Sequence, residues 1–137
     1  MPNQSSTFSL TYHPLRVLIV DDMPQVRQEL RGLLELTGEL EIVGEAANGL
    51  EAIAQAEALR PDVVVIDLEM PVMDGFEATR QIKERGLAAK VVVLSIHADR
   101  DALQRARQAG ADVFIDKASR FQGLMSAIVV AAPTHSS

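Results

Sequence analysis

The sequence predicts an α/β fold in which one parallel β-sheet is covered by helices on both faces. Three observations carry this. Short β-branched runs alternate with amphipathic segments five times along the chain, the pattern of βα units. The central runs "LRVLIV", "PDVVVID" and "AKVVVLS" are nearly continuous Val, Ile and Leu, as expected of strands covered on both sides. The connections are short, and right-handed crossovers leave few topologies.

The elements follow in order. Residues 1–14, "MPNQSSTFSLTYHP", form a polar lead-in. "LRVLIV" is the first strand. Pro24 suits the first turn of the next helix, where a missing N–H does little harm. In "QVRQELRGLLELTG", Val26, Leu30, Leu33 and Leu34 have helical spacing, and Gly38 suits the stop. "ELEIVGEA" is a second, less apolar strand, "NG" a turn, and "LEAIAQAEALR" an amphipathic helix. Then come "PDVVVID" with helix "GFEATRQIKERG", "AKVVVLS" with helix "DRDALQRARQAG", and "ADVFIDK" with helix "SRFQGLMSAIVVAA". One domain over residues 15–131 is expected, with a tail at 132–137; no linker or low-complexity tract interrupts it.

Composition bounds the function. A chain of 137 residues, 47% hydrophobic and 23% charged, has ordinary globular proportions and can bury a real core. It has no cysteine, which rules out disulfides, thiolate metal sites and a thiol nucleophile and fits a reducing cytosol. The formal net charge of −6 argues against nucleic acid or an anionic membrane as main partner. The apolar runs fall far short of a membrane span, and the N-terminus lacks signal-peptide character. A cytoplasmic location is expected.

In a doubly wound sheet, ligands bind outside the carboxyl ends of the strands. The polar residues there are Asp21 and Asp22 after the first strand, Asp67 at the end of the third, Ser95 after the fourth and Lys117 after the fifth. The second strand offers nothing comparable, as expected at an edge. Each residue alone has an ordinary reading: an acidic turn, a loop cap, a solvated lysine. Together they place three carboxylates, a hydroxyl and an ammonium along one edge. Such carboxylates cannot all stay ionised unaided: one pKa rises or a cation binds. An all-oxygen set suits a hard cation, and Mg²⁺ needs only one or two carboxylates plus a phosphate oxygen. A carboxylate can also attack a phosphoryl group, a transfer that needs positioning and charge neutralisation above all.

The stretches "VLIVDDMP", "VVVIDLEMPVMDGFEATRQI", "VVVLSIHAD" and "GADVFIDKAS" resemble the signature segments of response-regulator receiver domains, the phosphoacceptors of two-component signalling. The resemblance runs from Leu15 to Ala131. The "LSIH" and "DKAS" wording is most like receivers of the helix-turn-helix transcription-factor subclass. It implies a flavodoxin-like (βα)5 three-layer sandwich with a five-stranded sheet in the order 2-1-3-4-5. Asp67 would be the phosphoacceptor. Asp22, Asp67 and the backbone carbonyl of Glu69 would ligate Mg²⁺, with Asp21 acting through water. Lys117 would pair with Asp67 or its phosphate. Ser95 would be the switch hydroxyl and Phe114 the aromatic that moves with it. A histidine kinase or histidine phosphotransfer protein would be the donor. An output protein or a second copy would bind the last helix–strand–helix face, with no nucleic acid bound by this chain itself. The chain would not be an enzyme beyond self-catalysed transfer and dephosphorylation at Asp67.

Other features qualify this. Phe114 also suits plain core. Asp74 suits a helix cap, and Pro71 and Gly75 shape the turn before it. Many receivers carry proline after the lysine, with a cis peptide. Ala118 stands there, where a cis bond would cost several kcal/mol. Ile96 is bulkier than the residue in many receivers and would narrow access to Asp67. Glu69 and His97 flank the site. Besides a pseudo-receiver that acts only as a dimerising scaffold, two rival functions stand beside the switch. One is the receiver part of a longer DNA-binding regulator. The other is an aspartyl-phosphate phosphatase or phosphotransferase, with Glu69 as second acid–base group.

Overall fold

The computed structural model describes residues 14–36, 38–96, 98–117, 123, 124 and 128. The element order is β1 (Leu15–Val20), α1 (Pro24–Glu35), β2 (Leu40–Ala46), α2 (Gly49–Leu59), β3 (Val63–Asp67), α3 (Gly75–Glu84), β4 (Lys90–Ser95), α4 (Arg100–Ala109) and β5 (Val113–Asp116). The strands form one parallel sheet in the order β2-β1-β3-β4-β5, the flavodoxin-like arrangement expected. Most of the predicted last helix lies outside the described residues. Of it, Leu124 and Ile128 are helical and fully buried.

Alternation along the strands splits the core in two. Leu18, Val20, Val64, Ile66, Val91 and Val93 face α2, α3 and α4. Val17, Ile19, Val63, Val65, Val92 and Leu94 face the other way, onto Leu30 and Leu34 of α1 and onto Leu124 and Ile128. Both faces of β1, β3 and β4 are therefore dry, which explains their unbroken apolar runs. Burying each of Leu30 and Leu34 stabilises the fold by about 1.5–3 kcal/mol. At the β2 edge the register shifts between Val17 and Leu18, so that Val43 bulges out of the pairing.

One local expectation holds and one is corrected. Gly38, expected as the stop of the first helix, lies just beyond its end at Glu35 with φ 72° and donates its N–H to Glu35 O at 3.3 Å. "NG" is not a free turn but a helix start. The Asn48 side chain accepts from Glu51 N at 2.9 Å, while Glu51 Oε1 accepts from Ala47 N at 2.9 Å. Gly49 opens α2 because its N–H bonds Met73 O at 3.0 Å and a Cβ there would stand 2.5 Å from that oxygen. Asp74 and Asp99 cap α3 and α4 through the amides of Glu77 and Ala102.

Candidate functional site

Parallel strands end together, so the residues that follow them converge at one edge. Asp21 follows β1, Asp67 ends β3, Ser95 ends β4 and Lys117 follows β5. Carboxylate oxygens of Asp21, Asp22 and Asp67 come within 4.8 Å of one another. Asp21 is fully buried and Asp67 only 3% exposed, while Asp22 stands more open. The "MPVMDG" loop closes one side. Met73 N donates to Pro71 O at 2.8 Å across Val72, which is held at φ 71°, a γ-turn unusual for a β-branched residue. Gly75 then packs directly under the acidic pocket. Its N–H bonds Leu68 O at 3.0 Å, and a Cβ would meet Asp67 O at 2.3 Å.

The Lys117 ammonium joins the pocket from β5. It donates to Asp21 Oδ2 at 2.8 Å and lies 3.1 Å from Asp67 Oδ1. Sequence reasoning paired it with Asp67 or its phosphate; the ion pair with Asp67 is present, and a hydrogen bond to Asp21 is added to it. Asp67 Oδ1 is buried and has the ion pair but no hydrogen bond. Asp21 spends its other oxygen on Met23 N at 2.9 Å, so both its carboxylate oxygens already have protein donors. No described residue donates to the Asp22 carboxylate.

These surroundings set the charge. Burial, with the Asp21 and Glu69 carboxylates adding to it, pushes the Asp67 carboxyl up to about 6 against the pull of Lys117. Burial opposes the Lys117 ammonium, but the Asp21 hydrogen bond and the Asp67 charge outweigh it and hold its pKa above the usual value. An all-oxygen cluster with a buried carboxylate oxygen that lacks a hydrogen bond fits a small hard cation. Asp22 and Asp67 keep oxygens for direct ligation, and Asp21, already engaged, suits a water-mediated role.

Ser95 is fully buried and donates to Glu69 Oε2 at 3.0 Å, so the Glu69 side chain is tied to the hydroxyl. Phe114 is half-buried on β5, opposite Val93, beside a cavity of about 210 Å³ between α4 and β5. Ile96 is 61% exposed, turned largely to solvent. His97 and Ala118 lie outside the described residues.

Sequence reasoning missed a second layer. Arg27 of α1 donates from Nη1 to the backbone oxygen of Asp21 at 2.6 Å and from Nε to Glu45 Oε1 at 3.0 Å. Glu45 Oε2 accepts from Arg31 Nε at 2.8 Å. The pairing joins a helix to an edge strand, and periodicity carries no signal for it.

A family model described as the response regulator receiver domain matches residues 17–129. The nitrate/nitrite response regulator protein NarL of Escherichia coli (strain K12) is 34% identical over 119 residues, 87% of this chain and 55% of that protein. The signal receiver domain of the putative response regulator NarL from Mycobacterium tuberculosis superposes with a TM-score of 0.80 at 30% identity, covering 87% of this chain and 97% of that one. A DNA-binding response regulator of the LuxR family from Staphylococcus aureus gives 0.79 at 28% identity, covering 85% and 98%. The chain spans about half the length of the curated relatives it matches.

Proposed function

Since this chain belongs to the response-regulator receiver family, we propose that it is a phosphoacceptor switch with Asp67 as acceptor. The observation that carries the reading is Asp67 itself. It is a buried carboxylate with an unbonded oxygen, 3.1 Å from an ammonium, inside an oxygen cluster suited to Mg²⁺. Asp22, Asp67 and the Glu69 backbone carbonyl would hold Mg²⁺, with Asp21 one water away. The ion would supply charge neutralisation at the phosphoryl oxygens.

The donor is a phosphohistidine on a histidine kinase or histidine phosphotransfer protein. An Asp67 carboxylate oxygen forms the new P–O bond as the P–N bond breaks, and the imidazole leaves with the electron pair. Lys117 stays as counter-charge to the acyl phosphate. Ser95 exchanges Glu69 for a phosphoryl oxygen, and Phe114 moves with it into space beside β5. The local charge change thereby biases the α4–β5 surface toward an output partner or a second copy. The chain acts on no external substrate and works in the cytoplasm.

Incubation with Mg²⁺ and a small phosphodonor tests this by intact mass and size exclusion. The expected result is one phosphoryl group on wild type and none on Asp67→Ala. No labelling of wild type, or equal labelling of the variant, overturns it. A second reading, that this receiver serves a longer DNA-binding regulator, is favoured by the relatives being nearly twice as long and by the LuxR-family neighbour. The length of the gene product decides it.

A further inference from the structure

We infer that Arg27 is a positioning residue for the acidic pocket: clamped between Glu45 and the Asp21 backbone carbonyl, it sets the direction in which Asp22 is presented to Mg²⁺. The inference rests on the phosphoacceptor reading above and concerns the part of that site its own carboxylates do not explain.

The turn after β1 is held by few groups. Asp21 N donates to Ala46 O at 3.1 Å, and Met23 N is bound by the Asp21 side chain at 2.9 Å. Asp21 O belongs to the same peptide plane as Asp22 N. Fixing that oxygen fixes the plane and the Asp22 Cα, and with Met23 N held from the far side by Asp21 Oδ1 at 2.9 Å it restricts the Cα–Cβ direction of Asp22. The group that fixes it is Arg27 Nη1 at 2.6 Å, a short charge-assisted contact. Asp22 has no described donor on its own carboxylate, so its aim depends on the backbone.

Arg27 is itself aimed. Its Nε donates to Glu45 Oε1 at 3.0 Å, and Arg31 holds the other Glu45 oxygen at 2.8 Å. The planar guanidinium offers donors at fixed angles, so it can span a carboxylate and a carbonyl together. A lysine has the charge but not the fork. The side chain is only 18% exposed, so the clamp is partly shielded from water.

Simple electrostatics predicts the opposite sign. Arg27 puts a positive charge beside a cation site, and removing it should tighten Mg²⁺ binding. Positioning predicts weaker binding, since groups that orient metal ligands typically account for 10–100-fold in affinity.

Calorimetric titration of the full chain with MgCl₂ separates the two. Circular dichroism melts in EDTA confirm that each variant is folded. Arg27→Gln and Arg27→Lys are both expected to bind Mg²⁺ about tenfold more weakly than wild type. Glu45→Asp, which keeps every charge but draws the carboxylate back from Arg27, is expected to weaken binding by up to about tenfold and serves if the Arg27 variants do not fold. A folded Arg27 or Glu45 variant that binds Mg²⁺ as tightly as wild type, or more tightly, overturns the positioning role. If wild type itself binds no Mg²⁺, the phosphoacceptor reading falls, and this inference with it.

Discussion

Replacing Asp67 with asparagine should make the metal-free protein more stable, in a pH-dependent way. Asp67 is 3% exposed, and burial, helped by Asp21 and Glu69, raises its carboxyl from 3.8 to about 6. A raised carboxylate holds its proton more tightly in the folded state than in the unfolded chain. Its contribution to stability is therefore full below the unfolded pKa and is lost as pH rises through the folded value. The loss amounts to about 3 kcal/mol above pH 6, at 1.36 kcal/mol per pKa unit. Asparagine does not ionise and escapes that loss, and Lys117 keeps its 2.8 Å bond to Asp21 in the variant. Urea melts in EDTA should show Asp67→Asn ahead by up to about 3 kcal/mol at pH 8, with the gap closing toward pH 4. Mg²⁺ should shrink the gap at pH 8 by stabilising wild type, by about 2.7 kcal/mol at a hundred times its Kd. A gap of equal size at pH 4 and pH 8, or a variant less stable than wild type at pH 8, would refute the reasoning.

Three further outcomes are expected. Lys117→Met leaves the Asp21 and Asp67 carboxylates buried without their ammonium and should cost about 3–5 kcal/mol at neutral pH in metal-free urea melts. Gly75→Ala forces a Cβ to 2.3 Å from Asp67 O, so it should lose about 2 kcal/mol or more, and its Asp67 labelling rate should drop. Thr79 is fully buried with its hydroxyl unbonded, so Thr79→Val should gain about 1 kcal/mol in the same melts while Mg²⁺ titration is unchanged.

Much of the fold was legible because it is written in local patterns. The β-branched runs and the helical spacing of Val26, Leu30, Leu33 and Leu34 depend on neighbours in the chain, and the elements appear where they point. "NG" was misjudged because Asn-Gly suits both a turn and a helix start; contact with Met73, twenty-four residues after Gly49, selects the second. The pocket residues were legible as strand-end residues, since a parallel sheet brings strand ends together whatever the loops do.

The sequence by itself determined that three carboxylates, a hydroxyl and an ammonium would meet at one edge of a parallel sheet, because periodicity sets the strands and the residue after each strand is read directly. Only the tertiary structure decided how they share partners: Lys117 bonds Asp21 and leaves an Asp67 oxygen unbonded, Ser95 turns to Glu69, and Arg27 reaches back to the turn from α1 under the hold of Glu45. The physical reason is range. A hydrogen bond is made or lost within a few tenths of an ångström, and at that scale strand register and helix placement, set by packing across the whole core, decide which of two nearby acceptors a side chain meets.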